Sequence, residues 1–125
     1  MAIEFNKEHI VSHWIESSDK DFKTMMDLYK TQNNSWVLFM GHLVIEKLLK
    51  SYYVKTMDEY PPLIHDLRRI NEKANVKLDS NQQIILDSIT RFTINARYDD
   101  YKQSFYPLCT DSFTAEWIEK IKDCR

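Results

Sequence analysis

Six residues of this 125-residue chain have side chains of the kinds that bind phosphate or stack on a base. Lys47 and Lys50 carry positive charge in the middle of an apolar segment, and His65 follows a proline-containing turn. Arg97 supplies a guanidinium, which can bind phosphate through two parallel hydrogen bonds. Tyrosine rings that follow it offer faces on which a base can stack. The candidate nucleotide- or phosphate-binding residues are Lys47, Lys50, His65, Arg97, Tyr98 and Tyr101.

Each candidate also has an ordinary structural role. His65 can hydrogen-bond a loop carbonyl at the start of a helix, Arg97 can form a salt bridge, and loop tyrosines can cap a bundle. Glu46, Lys47 and Lys50 together can form a solvated edge whose aliphatic stems lie on the core. The residue types alone leave both roles open.

Metal and cofactor chemistry find little support. His9 and His13 lie four residues apart, as two ligands on a helix face do, but neither an HExxH pattern nor a third ligand accompanies them. Cys109 and Cys124 form neither a disulfide framework nor a metal pair. A glycine-rich phosphate loop is excluded because the chain has one glycine. We therefore expect no metal, no cofactor and free thiols.

The element that should position both lysines is one long helix from Trp36 to Thr56. Apolar residues recur in it at steps of three and four, and Asn33-Asn34-Ser35 is typical of a helix start. Its apolar arc is wide enough to need neighbours on at least two sides. Gly41 lies inside this helix, where glycine costs about 0.5 to 1 kcal/mol relative to alanine. We expect another helix to approach closely there.

The rest of the chain also predicts helices, and its composition agrees. One glycine and three prolines leave few of the turns that an all-β fold needs. The predicted fold is all-α, an up-and-down bundle of four to five helices, with residues 1–125 as a single domain. Besides the central helix, we expect a helix from about Asn6 to Thr31 and another from about Ile64 to Asn75. A further helix should end at Arg97 and begin at a capping box formed by Asp79 to Gln82 or by Ser80 to Gln83. The last helix should begin at a cap on Asp111 or Ser112.

Net charge and hydropathy narrow the function classes. A net charge of −2 argues against a general nucleic-acid binder with a strongly basic surface. The sequence lacks an apolar run near 18 residues and a signal-like leader, so we expect a cytoplasmic protein without a membrane span.

Three motifs in this order resemble the HEPN family, whose name abbreviates "higher eukaryotes and prokaryotes nucleotide-binding". They are GHLVIEKLLKSYYV at residues 41–54, His65-Asp66-Leu67 after a proline-containing turn, and Ala96-Arg97-Tyr98 at the end of the fourth helix. The resemblance covers nearly the whole chain. It implies a bundle of four or five helices that commonly forms a homodimer through its first helices.

The resemblance also implies a choice of functions. Family members associate with minimal nucleotidyltransferase domains, act as toxin or antitoxin partners, or cleave RNA. Those that cleave RNA carry an arginine followed after four to six residues by histidine, and the arginine matches Arg97 or, less well, Arg91. No histidine follows His65 in this chain. Tyr101, Lys102, Gln103 and Ser104 occupy the fourth to seventh positions after Arg97, and such side chains move protons poorly near neutral pH.

The sequence therefore predicts a non-catalytic HEPN-like protein, a nucleotide-binding or interaction module. The implied partners are a second copy of the chain, a minimal nucleotidyltransferase in a toxin–antitoxin type pair, and a nucleotide or RNA. The alternatives are a ribonuclease toxin with a degenerate motif and a helical adaptor with no nucleotide role. In an up-and-down bundle Lys50, His65 and Arg97 are expected to converge at one end.

Overall fold

The structure is a computed structural model that describes residues 5–97 and 106–124. In these residues the chain forms five α-helices and no strand. They are α1 (Lys7–Lys30), α2 (Asn34–Met57), α3 (Leu67–Lys73), α4 (Ser80–Arg97) and α5 (Asp111–Cys124). The all-α prediction is confirmed. That residues 1–125 form a single domain stays a prediction.

Side-chain caps explain where two of the helices begin. Gln82 N donates to Asp79 Oδ1 at 2.7 Å, and Asp79 N donates to Gln82 Oε1 at 3.0 Å. This is a reciprocal capping box, so the first of the two predicted boxes is the correct one. At α5 the prediction was wrong by a residue, because Thr110 Oγ1 accepts from Phe113 N at 3.2 Å.

Helix α2 is the centre of the fold, and each of the other four helices contacts it. Several of its apolar side chains, among them Val37, Leu38 and Val44, are fully buried. The prediction that α2 has neighbours on at least two sides is confirmed. None of the described helices combines the length and the apolarity that crossing a bilayer demands.

Two small residues allow close packing around α2. Ser18 of α1 is fully buried, and its Oγ donates to Val44 O at 2.9 Å. A methyl group added at Gly41 would overlap Cδ1 of Ile121 from α5 and lie 3.6 Å from Met25 Sδ. Gly41 thus marks a packing site as expected, but a side chain rather than a helix backbone fills the space.

Helix α4 runs antiparallel to α2. Gln82, near the start of α4, lines the same groove as Leu49 in the second half of α2. Phe92, further along, packs its ring 4.9 Å from that of Trp117 on α5. The start of α5 lies against the start of α2, since Asn34 Nδ2 donates to Asp111 Oδ1 at 2.8 Å. The end of α4 is therefore near the start of α2.

This direction corrects the predicted convergence of Lys50, His65 and Arg97. The prediction assumed that the third helix crosses the full height of the bundle. In that case the fourth helix would end near the end of α2. Helix α3 has 7 residues, which at 1.5 Å each span only about 10 Å. It cannot cross the bundle, so α4 itself is the segment that returns along α2.

Candidate functional site: a buried carboxylate that joins two motifs

Three charged or titratable side chains occupy one face of α2. His42, Glu46 and Lys50 follow one another at steps of four residues, the spacing that brings helix side chains into line. Glu46 and Lys50 are each 5% exposed, and His42 is buried as well. The expectation that Glu46, Lys47 and Lys50 form a solvated edge is therefore wrong for Glu46 and Lys50.

Glu46 is the hub of this cluster because its two oxygens accept from different partners. Lys50 Nζ donates to Oε2 at 3.2 Å. His65 Nδ1 lies 2.9 Å from Oε1, and since a carboxylate only accepts, Nδ1 carries the proton. Lys50 Nζ also lies 5.6 Å from the centroid of the Trp14 ring, within range of a cation–π contact. The buried charge of Glu46 is thus compensated from two sides.

His42 supports the same connection through the backbone. Its Nε2 lies 2.8 Å from His65 O, so the ring must donate through Nε2–H to that carbonyl. Burial lowers the pKa of His42, and this effect outweighs the hydrogen bond to His65 and the charge of Glu46, which both raise it. The ring is therefore neutral near pH 7. Its Nδ1 is 3.8 Å from Glu46 Oε1 and has no hydrogen-bond partner among the described residues.

His65 precedes α3 rather than beginning it. The N-cap of α3 is Asp66, whose Oδ1 accepts from Arg69 N at 3.3 Å. His65 is held instead by Glu46 and His42, and its side chain remains 74% exposed. A carboxylate at Nδ1 orients the ring and leaves Nε2 able to exchange a proton, as in catalytic dyads.

Lys47 lies outside this cluster and links α2 to α1. Its Nζ lies 2.6 Å from Asp21 Oδ2 and 2.7 Å from Ser17 Oγ. Lys47 and Lys50 are therefore both paired with carboxylates. A phosphate would have to compete with Asp21 or Glu46 for either lysine, and their role in phosphate binding stays a prediction.

Of the three candidates whose side chains the structure describes, it brings together Lys50 and His65 through Glu46, while Lys47 lies outside this cluster. Arg97 is the last residue of α4; its side chain, like Tyr98 and Tyr101, lies outside the described part of the chain. Leu67 N donates to Thr90 Oγ1 at 3.2 Å, so the part of α4 that lies beside the His65 segment is the turn around Thr90. Arg97 follows seven residues later, about 10 Å further along the helix axis.

His42 was not among the site residues predicted from the sequence, and Glu46 was predicted to be only a charged interruption of the apolar face. The available signal was the HxxxExxxK spacing of residues 42–50, which puts three polar groups on one face of a helix expected to be buried. Among the described residues no three His, Cys, Asp or Glu side chains are grouped closely enough to hold a metal ion.

The fold and this cluster define a helical bundle in which a carboxylate in the central helix ties down the segment before α3. A protein-family model, the HEPN domain, matches residues 11–123. The chain belongs to the HEPN family. The matched region contains both motifs that Glu46 joins, and membership supports a nucleotide-binding or ribonuclease-type module. Comparisons with curated proteins and with solved structures gave no significant match.

Proposed function

We propose that this chain is a non-catalytic HEPN protein that serves as a nucleotide-binding or interaction module. The observation that carries the proposal is the missing histidine after Arg97. Tyr101, Lys102 and Gln103 stand at the fourth to sixth positions beyond it. Tyrosine and lysine have ordinary pKa values near 10, and a glutamine amide does not titrate. None of them suits proton transfer near neutral pH.

The positions of the four histidines in the chain, all of which precede Arg97, support this proposal. His9 and His13 belong to α1, and His42 is buried, with its Nε2–H committed to a carbonyl. His65 is held at the level of Thr90, about 10 Å along α4 from the backbone of Arg97. This separation supports the non-catalytic proposal.

One observation favours a ribonuclease-type alternative. His65 has an exposed ring whose Nδ1–H is held by the buried Glu46. A histidine oriented in this way can act as a general base through Nε2. In this alternative His65 would replace the histidine of the family motif, and Arg97 would bind the phosphate.

Incubation of the pure protein with single-stranded RNA and a chelator separates the two functions. We expect no cleavage by the wild-type chain. Lys102→His and Gln103→His each restore a histidine at the spacing of the family motif. Cleavage by either variant would show that a histidine after Arg97 is the group that RNA cleavage lacks in this chain. Cleavage that co-purifies with the wild-type protein and disappears in His65→Ala or Arg97→Ala would overturn the non-catalytic proposal.

We also propose a homodimer, and a minimal nucleotidyltransferase as partner in a toxin–antitoxin type pair. What supports an interaction surface is an apolar groove of about 760 Å³ beside the start of α1. Leu63 in this groove is 97% exposed and Tyr60 is 58% exposed. Exposed apolar groups gathered in one patch are typical of protein interfaces. The groove is lined by His9, Ile10, His13, Trp14, Tyr60, Pro61 and Leu63.

The partner is tested by reading the neighbouring genes and by co-expression. A minimal nucleotidyltransferase encoded next to this chain, and co-purifying with it, supports the pair. Its absence shifts the assignment to a helical adaptor.

Nucleotide binding is tested by NMR titration at low salt, which should show chemical-shift changes near His65 that become smaller as salt rises. His65→Ala and Arg97→Ala are the informative variants, because Lys50→Ala also breaks a buried ion pair.

A further inference from the structure

A second cavity, which no residue of the Glu46 cluster lines, lies in the groove between α2, α3, α4 and the end of α5. Its volume is about 390 Å³, within the range of small-molecule sites. Ile45 and Leu49 of α2 form one apolar wall, and Ile85 and Leu86 of α4 form the other. Asn71 of α3 lies among these apolar side chains. We call this cavity the Asn71 groove.

Asn71 is a largely buried residue whose side chain lines this groove. It is 4% exposed, and in residues 5–97 and 106–124 its carboxamide forms no hydrogen bond, although its main-chain oxygen accepts from Val76 N at 3.1 Å. Asn71 lines this groove and also an adjoining one of about 460 Å³. Its amide is therefore placed to bind a molecule in the groove.

A carboxamide presents a donor and an acceptor side by side. It pairs with a ligand edge that offers an acceptor beside a donor, as asparagine does with the edge of adenine. The apolar walls suit the faces of a flat ring. The mouth of the groove holds Lys120 and Asp123, and Lys120 Nζ already lies 3.1 Å from Glu116 Oε1. Because these charges offset each other, the groove favours an uncharged ligand over a polyphosphate.

We propose that the Asn71 groove binds the base of a nucleoside, with the Asn71 carboxamide pairing with the base edge. This inference rests on the nucleotide-binding part of the proposed function and assigns the base a site away from Lys50 and His65. Asn81, at the mouth, adds an amide that can hydrogen-bond a ribose hydroxyl. A nucleoside binds here through shape and hydrogen bonds, so its affinity should change little with salt.

The test is an NMR titration of the full chain with adenosine, guanosine, cytidine and uridine up to millimolar concentration. We expect at least one nucleoside to shift the Asn71 side-chain amide and the methyl groups of Ile85 and Leu86. Asn71→Leu should weaken that binding at least tenfold without lowering the melting temperature, because the carboxamide that it removes hydrogen-bonds no other described residue. Asn95→Leu on α4, outside the groove, is the matched control and should bind as the wild type does.

Ile85→Trp fills the groove while leaving Asn71 in place. If Asn71→Leu does not fold, this variant tests whether nucleosides bind in the groove. Loss of nucleoside binding in Ile85→Trp supports the inference. No binding of any nucleoside at millimolar concentration, or undiminished binding in both variants, would overturn it. Nucleotide shifts confined to the region of His65 and Arg97, and lost in His65→Ala, would reject the groove while leaving the proposed function standing.

Discussion

Nδ1 of His65 lies 2.9 Å from Oε1 of Glu46, and this contact joins two of the three motifs by which the chain resembles its family. One motif belongs to the central helix and the other to the segment before α3, 19 positions apart in sequence. Glu46 is buried and paired with Lys50, while His65 is mostly exposed. The carboxylate therefore fixes the path of the chain between α2 and α3.

The buried pair predicts a large cost for removing Glu46. Glu46→Ala leaves Lys50 buried without a counter-charge, and we expect the free energy of unfolding to fall by about 3 to 5 kcal/mol. Urea denaturation followed by circular dichroism measures this. His65→Ala is the matched control, because an exposed partner should contribute less than about 1 kcal/mol.

Replacing both members of the pair should cost much less. Glu46→Leu combined with Lys50→Met exchanges two buried charges for apolar groups of similar size, a change that is often neutral or stabilising. If the double variant is as unstable as Glu46→Ala, the cluster stabilises the fold through more than its ion pair.

His42 predicts that stability falls in mild acid. Burial lowers the pKa of its imidazole, so the unfolded chain takes up this proton near pH 6.5 and the folded chain only at lower pH. Between these two pKa values the unfolded state binds more protons. The stabilisation is therefore complete above about pH 6.5 and is lost as the pH falls toward the pKa of the folded state.

Urea denaturation from about pH 8 to about pH 5 measures this dependence. His42→Gln keeps an amide donor for the His65 carbonyl but cannot titrate, so its stability should fall less steeply in acid. His13→Gln, at an exposed position of α1, should retain the wild-type slope. Equal slopes in all three proteins would assign the acid sensitivity to other groups.

Gly41 predicts a coupling between α2 and α5. Gly41→Leu should lower the free energy of unfolding by about 1 to 3 kcal/mol, because the side chain enters space that Ile121 fills. Ile121→Val removes the Cδ1 atom that a new methyl group would meet. In that background Gly41→Ala should stabilise the protein by about 0.5 to 1 kcal/mol through helix propensity.

A double-mutant cycle by chemical denaturation tests this coupling. In the wild-type background Gly41→Ala should increase the free energy of unfolding by less than it does in the Ile121→Val background, since Ile121 must move. An equal gain in both backgrounds would show that Ile121 does not restrict position 41.

The exposed apolar groove predicts the oligomeric state. Light scattering at tens of micromolar should give about twice the chain mass of 15.1 kDa. Leu63→Asp should give the mass of one chain without loss of stability, because Leu63 is 97% exposed and contributes nothing to the core. Ile84→Asp, also exposed but on α4, should leave the dimer intact. A wild-type monomer would contradict the proposed homodimer.

The sequence predicted the helices well because their signals are local. The capping box at Asp79 and the apolar periodicity of α2 each depend on residues within a few turns of one another. The family resemblance followed from the order of such local motifs.

The sequence by itself thus determined the helical bundle and the residues whose chemistry deserves testing, since both are encoded in neighbouring positions. Only the tertiary structure decided that α4 runs antiparallel to α2, because that depends on how short α3 is. It alone showed that His65 meets Glu46 and that Asn71 faces an apolar groove. These contacts join segments distant in sequence, and burial then determines whether a charged or polar side chain is paired, strained or available to a ligand.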